Sequence, residues 1–420
     1  MKYEEYKDCS VEWIGEVPSH WEVCRLKNYS KIVLGKMLMS TPPKGEEAKY
    51  TSEKYLKSRN VGWMDIYDNY DDLEDMWFNE YEKSIYQLQL NDIVMNEGGD
   101  IGKLGIWKNS EFPCYIQNSI NKITANRNII PFYLQYLLFA IAKTNYFWSI
   151  VNPISIAHLT KEKLSNTPIL VPPLSEQQAI ATYLDEKCEK INTAIEVQKK
   201  KIELLEELKY SIITDAVTKG LNPKAPMKDS GVEWIGEVPE HWEIMRSRFL
   251  CQIQTGDKDT INRVEDGQYP FYVRSPKVER INSYSFDGEA VLMAGDGVGA
   301  GKVFHYANCK FDYHQRVYNL HKFKNICGLY YFYYISNQFK YIIEEGGAKN
   351  TVDSVRLNMI QDFWVTIPPI QEQQAIIAHI EKEVAKIDNQ ISKANRRIEL
   401  LEELKQSIIT EAVTGKIKVC

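Results

Sequence analysis

The chain has 420 residues, more than one ordinary core takes up and enough for two or more domains of roughly 100–200 residues. Hydrophobic residues make up 44% and charged residues 26%, and no segment is dominated by Pro, Ser or Gly, so folded domains rather than disorder are expected throughout. A formal net charge of −6 excludes a protein that coats nucleic acid through a broad basic surface, though it leaves room for local basic clefts.

The N-terminal segment MKYEEYKDCS lacks the apolar core of a signal peptide. The longest apolar stretch, Ile129 to Ala142, is too short and interrupted to span a bilayer, so no membrane partner and a cytoplasmic location are expected. The first element along the chain is VEWIGEVPSHW (Val11–Trp21), which mixes buried-type aromatics with Gly and Pro and reads as a short packed loop. It returns with one change as VEWIGEVPEHW at Val232–Trp242. His20 and His241 in these boxes have no ligand set nearby and read as packed structural histidines. The eight cysteines (Cys9, Cys24, Cys114, Cys188, Cys251, Cys309, Cys327, Cys420) form no C-x-x-C pair. They read as free thiols, and no metal site is expected.

A more divergent segment follows each box. The first copy carries an acidic stretch, Asp65, Asp68, Asp71, Asp72, Glu74 and Asp75, expected to point away from any phosphate backbone. Both copies then have a strand-like run ending in a glycine-rich loop, DIVMNEGGDIGKLGIW from Asp92 and AVLMAGDGVGAGKVFHY from Ala290. Lys103 and Lys302 follow these glycines, but neither loop has P-loop spacing or a Ser or Thr after its Lys. They read as turns, with contact to DNA as a further possibility. Next come Tyr115-Ile116-Gln117-Asn118 and Tyr313-His314-Gln315-Arg316. An aromatic-rich helix begins at Pro131 and again at Gly328, its rings serving mostly as core. An apolar strand, Thr167 to Val171 or Phe363 to Ile367, then runs into a double proline. Strands, a helix and a strand describe an α+β domain. The second segment is mildly basic, with Arg246, Arg248, Arg263, Arg274, Lys277, Arg280, Lys302 and Arg316.

The last element is the longest repeat: Pro172–Thr218 returns as Pro368–Thr414 with about half its positions identical. The two copies are offset by 221 residues at the boxes and 196 here, so the variable part is 25 residues shorter in the second copy. Ser175 and Gln178 have capping-box spacing, which predicts a helix from about Glu176. A heptad seam runs Leu184, Cys188, Ile191, Ile195, Gln198, Ile202, Leu205, Lys209, Ile212, Ala216. Its counterpart runs Ile380, Val384, Ile387, Ile391, Ala394, Ile398, Leu401, Lys405, Ile408, Ala412. Leu208 and Leu404 stand beside the two lysines and are expected to take over their contact. So narrow a seam on a helix of roughly 60 Å needs a partner helix, and the two copies are expected to pair antiparallel, bringing Leu184 near Leu401.

This order of motifs, with the strand, Pro-Pro, EQQAI and IELLEELK occurring twice, resembles the specificity subunit of type I restriction-modification systems across the whole chain. The resemblance implies an α+β fold of two globular target recognition domains (1–171 and 222–367) alternating with two conserved helices (172–221 and 368–420) that pair as an antiparallel coiled coil. It implies double-stranded DNA as ligand, each domain reading half of a split asymmetric target across a spacer set by the helices. Two modification subunits would bring S-adenosylmethionine and adenine methylation, and restriction subunits ATP, Mg and cleavage; no cofactor is expected in this chain. The chain has no Asn-Pro-Pro-Tyr motif, Asn152-Pro153-Ile154-Ser155 departing after the first proline, so it is expected to be non-catalytic. The candidate DNA-binding residues are Lys103, Gln117, Asn118, Arg274, Lys302, His314, Gln315 and Arg316. The helix-pairing candidates are Leu184, Ile191, Ile195, Ile202, Leu205, Ile212, Ile380, Ile387, Ile391, Ile398, Leu401 and Ile408. The readings weighed against this one are a coiled-coil scaffold with two protein-binding heads and an enzyme of unrecognised type.

Overall fold

The computed structural model describes residues 2–9, 11, 13–151, 158–346 and 354–419, with the backbone alone for 344–346. Asn152-Pro153-Ile154-Ser155 and Cys420 lie outside the described residues. The chain divides into two compact units, Met1–Val197 with Arg396–Cys420, and Gln198–Asn395. Each unit therefore holds one head together with segments of both long helices, which run Leu174–Lys219 and Ile370–Val413. Among the described residues no helix is long and apolar enough to cross a membrane.

In the first unit, Ser30–Leu34, Ile120–Ala125, Ile93–Asn96 and Leu104–Ile106 form an antiparallel sheet in that order. Glu74–Asn79, Tyr50–Leu56 and Tyr115–Ile116 form a second sheet, whose last pairing is parallel. Apolar residues dominate the central strand Ile93–Asn96, which is buried at every position, as expected for a strand covered on both faces. The helix Pro131–Lys143 is buried along most of its length, and its Tyr133 hydroxyl donates to the Leu170 carbonyl at 3.0 Å. The same core contains Trp21, Leu184 and Cys188, together with Ile409, Ala412 and Val413 of the second long helix. Lys405 Nζ donates to Asn192 Oδ1 at 2.8 Å.

The second unit rearranges the same parts into one six-stranded sheet, ordered Gln252–Thr255, Val317–His321, Phe286–Ala294, Phe304–Tyr313, Tyr269–Tyr272, Glu279–Ile281. Phe304–Tyr313 is a single strand here, where the first unit has two short ones, Leu104–Ile106 and Tyr115–Ile116. The helix Gly328–Gln338 supplies Tyr330, whose hydroxyl donates to the Val217 carbonyl at 3.0 Å, and Ala216 and Val217 share its core with Ile376 and Ile380. Lys209 Nζ donates to Asp388 Oδ1 at 2.7 Å.

The long helices depart from the sequence expectation in three ways. The first starts earlier than Glu176, and both begin straight after the double proline: the carbonyls of Pro173 and Pro369 already accept from the third and fourth residues of the helix, Glu176 and Gln177 or Glu372 and Gln373. Ser175 thus lies inside the first turn, and Gln178 donates to Thr182 instead of closing a capping box. Leu208 and Leu404 do not take over the lysine contact; both are about half exposed, while each lysine makes its own polar bond. With Lys405 on Asn192, Leu401 lies farther from the Leu184 end of the first helix than expected, and Leu184 shares its core with Ile409 to Val413. Of the twelve candidate pairing residues, Leu184, Ile191, Ile195, Leu205, Ile380 and Ile387 are buried. Ile202, Ile212, Ile391, Ile398, Leu401 and Ile408 are half-buried.

The constant motifs turn out to be anchors. Gln177 is fully buried: its Nε2 donates to the carbonyls of Pro172 (2.8 Å) and Asn128 (3.3 Å), and its Oε1 accepts the Ile130 N–H (2.8 Å) at the start of the head helix. Gln373 repeats all three bonds, to Pro368, Asn325 and Cys327. The neighbouring Glu176 accepts from Trp21 Nε1 and Tyr3 Oη, both at 3.0 Å, and lies 2.7 Å from His20 Nε2; His241 meets Glu372 at 2.7 Å. His20 and His241 are therefore not packed histidines, since their side chains are 44% and 51% exposed, but polar clamps on a helix start. Just past each long helix a glycine with positive φ, Gly220 or Gly415, lies against the box tryptophan of its unit, Trp242 or Trp21. A tryptophan in each box thus touches the end of one long helix while the histidine beside it holds the start of the other.

Candidate nucleic-acid interface

The backbone hydrogen bonds define one shared scaffold in the two heads. In the first, the Gln117 N–H donates to Leu56, Ile120 N–H closes a turn on Gln117, Glu97 N–H donates to Ser119, and Leu159 N–H donates to Glu97. In the second, His314 donates to Tyr272, Val317 to His314, Gly295 to Arg316, and Val355 to Gly295. Isolated bridges Gly98–His158 and Asp296–Ser354 complete the match. Asn121 Nδ2 holds the Leu159 carbonyl at 3.2 Å and Tyr318 Oη the Val355 carbonyl at 3.0 Å.

This scaffold sets the alignment of the two turns, one residue off a match of Tyr115 with Tyr313. Gln117 stands where His314 stands, Asn118 where Gln315 stands, and Ser119 where Arg316 stands, because the carbonyl-accepting strand end is Leu56 in one head and Tyr272 in the other. The cores agree: Ile116 packs with Leu56, Val94 and Ile120, and Tyr313 with Tyr272, Leu292 and Val317. In a strand a one-residue slip exchanges the two faces, so Tyr115 matches Asp312 rather than Tyr313. Most of the extra length of the first copy falls between Leu56 and Val94, against Tyr272 to Leu292 in the second.

Two glycines make the scaffold possible. A Cβ on Gly35 would stand 2.3 Å from the Gln117 carbonyl oxygen, and one on Gly256 would stand 2.1 Å from that of Tyr313. Each lies where two backbones touch, a position open only to glycine. Gly102 and Gly301, both at positive φ, seat the glycine-rich loops against Ala142 and Phe147, or against Ile343 and Val355.

The candidate side chains divide by head. In the first, Gln117 Nε2 donates to Asn118 Oδ1, and its Oε1 accepts from the N–H and Oγ of Ser119 at 3.1 and 2.5 Å. Ser119 Oγ accepts the Ser58 N–H at 3.0 Å. Lys103 pairs with Asp100 at 2.5 Å. In the second, Arg274 Nη1 donates to Asp296 Oδ1 at 2.9 Å, and Arg316 Nε lies 3.6 Å from Asp296 Oδ2. Gln315 Nε2 donates to Asp259 Oδ2 at 2.8 Å. His314 accepts the Arg316 N–H on Nδ1 at 2.9 Å; burial, with Arg274 nearby, lowers its pKa and keeps the ring neutral. Lys302 is exposed and makes no ion pair among the described residues. The structure therefore gathers Arg274, His314, Gln315 and Arg316 into one cluster, and Gln117 with Asn118 into the matching place of the first head. Lys103 and Lys302 stand on the adjoining loops.

Asp296 and the Ser58, Gly98 and Ser119 positions were not found by reading the sequence; only the matched backbones bring them together. Of the acidic stretch, Glu74 binds Lys57 at 2.7 Å and Arg59 at 2.9 Å, next to the strand end that holds the Gln117 turn. Among the described residues no group of His, Cys, Asp and Glu could hold a metal ion.

A family model described as the type I restriction modification DNA specificity domain matches residues 18–207 and again 239–402, once per copy. The chain belongs to this family. It is 26% identical over 438 residues to the putative type I restriction enzyme MjaX specificity subunit of Methanocaldococcus jannaschii, covering 97% of this chain and 96% of that one. It is 29% identical over 182 residues to the Escherichia coli type I restriction enzyme EcoDI specificity subunit, covering 43% and 40% of the two chains. Its fold is shared with a solved chain described under complex assembly and conformational transition of the type I R-M system, at a TM-score of 0.70 and 16% identity over 96% of this chain and 99% of that one.

Proposed function

We propose that this chain is the DNA-reading subunit of a type I restriction-modification complex, in which each head reads one half of a split, asymmetric duplex target. The observation that carries this is the family match to both copies, combined with a common scaffold whose exposed side chains differ. Base edges are distinguished by side-chain donors and acceptors, so two heads with unlike side chains imply two unlike half-sites. The long helices pair antiparallel and set the spacer: residue 192 meets 405 in one unit and residue 209 meets 388 in the other, at equivalent places of the repeat.

The chain works without catalysis of its own, in the cytoplasm. Two modification subunits supply S-adenosylmethionine and restriction subunits supply ATP and Mg. Support for two identical partners comes from the conserved IELLEELK segments, where Leu204 and Leu208 in one unit and Leu400 and Leu404 in the other are 47–53% exposed. Four-residue spacing puts each leucine pair on one helix face, giving two like apolar patches. The test is co-expression with the cognate modification subunit and mapping of methylated adenines. A split motif with two different halves is expected; a stable complex that leaves no motif would overturn the proposal.

A further inference from the structure

Matching the heads by their backbone bonds isolates three positions that are neighbours in both. In the first head they are Ser58, Gly98 and Ser119, with the Ser58 N–H on Ser119 Oγ and the N–H of Glu97, beside Gly98, on the Ser119 carbonyl. In the second they are Arg274, Asp296 and Arg316, with both guanidiniums on one carboxylate. The backbones at Gly98 and Asp296 and at Ser119 and Arg316 make the same hydrogen bonds, while Ser58 opens a short 3-10 turn that has no counterpart at Arg274. One trio is small and uncharged, and the other carries two cations and a central anion.

Resting on the function proposed above, we infer that Arg274, Asp296 and Arg316 form a guanine-reading fork in the second head, Asp296 acting as the positioning residue. The chemistry follows from what the carboxylate leaves free. Arg274 gives Nη1 to Asp296, and Arg316 faces it through Nε, so the two terminal nitrogens of Arg316 remain available. Their parallel N–H bonds match the O6 and N7 acceptors of guanine in the major groove, the commonest specific contact of arginine. Phosphate binding alone needs no brace, since a flexible lysine serves. A carboxylate that holds Arg274 by a hydrogen bond and faces Arg316 at ion-pair distance biases their direction, which matters for reading a base edge. The side chains are placed to do so: Arg316 is 65% exposed and Arg274 44%, while Asp296 is 25% exposed beneath them. The first head has no such fork, so its half-site lacks a guanine read from these positions.

The experiment uses the full chain in complex with its modification subunits. Binding is measured by competition with duplexes in which each base pair of the second half-site is changed in turn, alongside mapping of methylated adenines. Arg316→Lys keeps the charge but loses the fork. It should lower the preference for guanine at one position by ten-fold or more, leaving the salt dependence and the first half-site unchanged. Asp296→Asn should weaken the same preference. The triple change Arg274→Ser, Asp296→Gly, Arg316→Ser should erase it, with the first half-site still read as proof of folding. The inference is overturned if Arg316→Lys retains the full preference, or if the triple variant keeps the same second half-site and loses only overall affinity. A wild-type complex with no split motif would instead remove the function on which the inference rests.

Discussion

Replacing Gln177 with Leu tests the anchoring of the head on its helix. The side chain is fully buried and makes three bonds, two of 2.8 Å and one of 3.3 Å. Leucine has nearly the same volume, so no large cavity opens, but the Ile130 N–H and the Pro172 and Asn128 carbonyls lose their partner. A buried polar group left unpaired costs about 1–3 kcal/mol, and the apolar replacement recovers part of it, which gives roughly 3 kcal/mol in all. For a unit of this size that corresponds to roughly 6–12 °C in melting temperature. Urea unfolding followed by tryptophan fluorescence is the assay. The first unit contains Trp13, Trp21, Trp63, Trp77, Trp107 and Trp148, and the second contains Trp234, Trp242 and Trp364. Gln177→Leu should move one transition and Gln373→Leu the other, by similar amounts. A loss under about 1 kcal/mol in both would refute the claim that these amides carry the junction, because even one stranded N–H costs that much.

Gly35→Ala and Gly256→Ala should each destabilise their own unit by roughly 2–3 kcal/mol, since the added carbon meets a fixed carbonyl oxygen rather than a yielding side chain; thermal melts of the two variants read this. Burial raises the Glu176 pKa, but hydrogen bonds from His20, Trp21 and Tyr3 outweigh it and the net shift is downward. Its contribution is therefore full above the unfolded carboxylate value and is lost as pH falls through the lowered folded value. The gap in urea midpoint between wild type and Glu176→Gln, present at pH 7, should close as the pH is lowered below about 4. Leu404→Glu and Leu208→Glu, at exposed sites, should leave stability within about 0.5 kcal/mol while each removes one modification subunit from the complex, as weighed by native mass spectrometry.

How much of this was legible depended on whether the signal was periodic or geometric. The long helices were, because a seven-residue repeat of Ile and Leu has one explanation at that length, and the polar Lys209 and Lys405 within it proved to be bonding positions. The capping box was misread although its letters fit, since the double proline had already begun the helix and moved the important amide from Gln178 to Gln177. Leu208 was assigned to the seam by proximity, where a narrow two-helix contact has no room for it. The two turns share a Tyr and a Gln two residues apart, yet their register is set by which strand end accepts the turn's N–H, and that information is carried by backbone atoms common to every residue. Asp296 was missed for the same reason: its counterpart is Gly98, and an Asp opposite a Gly has no visible motif.

The duplication separates two kinds of position by what a change costs. Gln177 and Gln373, Glu176 and Glu372, and the glycines at 35 and 256 are the same in both copies, and each has partners that a substitution would strand or collide with. The trio positions hold Ser, Gly and Ser in one head and Arg, Asp and Arg in the other on one backbone scaffold, so that scaffold tolerates both sets. Of these, Arg316 and Arg274 are 65% and 44% exposed, and exposed polar side chains contribute little to stability, typically within about 0.5 kcal/mol. A head can therefore exchange its reading side chains without loosening its hold on the helix. On the proposed function, recognition and assembly would fall to different residues, so one half of a target could change while the spacing and the other half stay as they were.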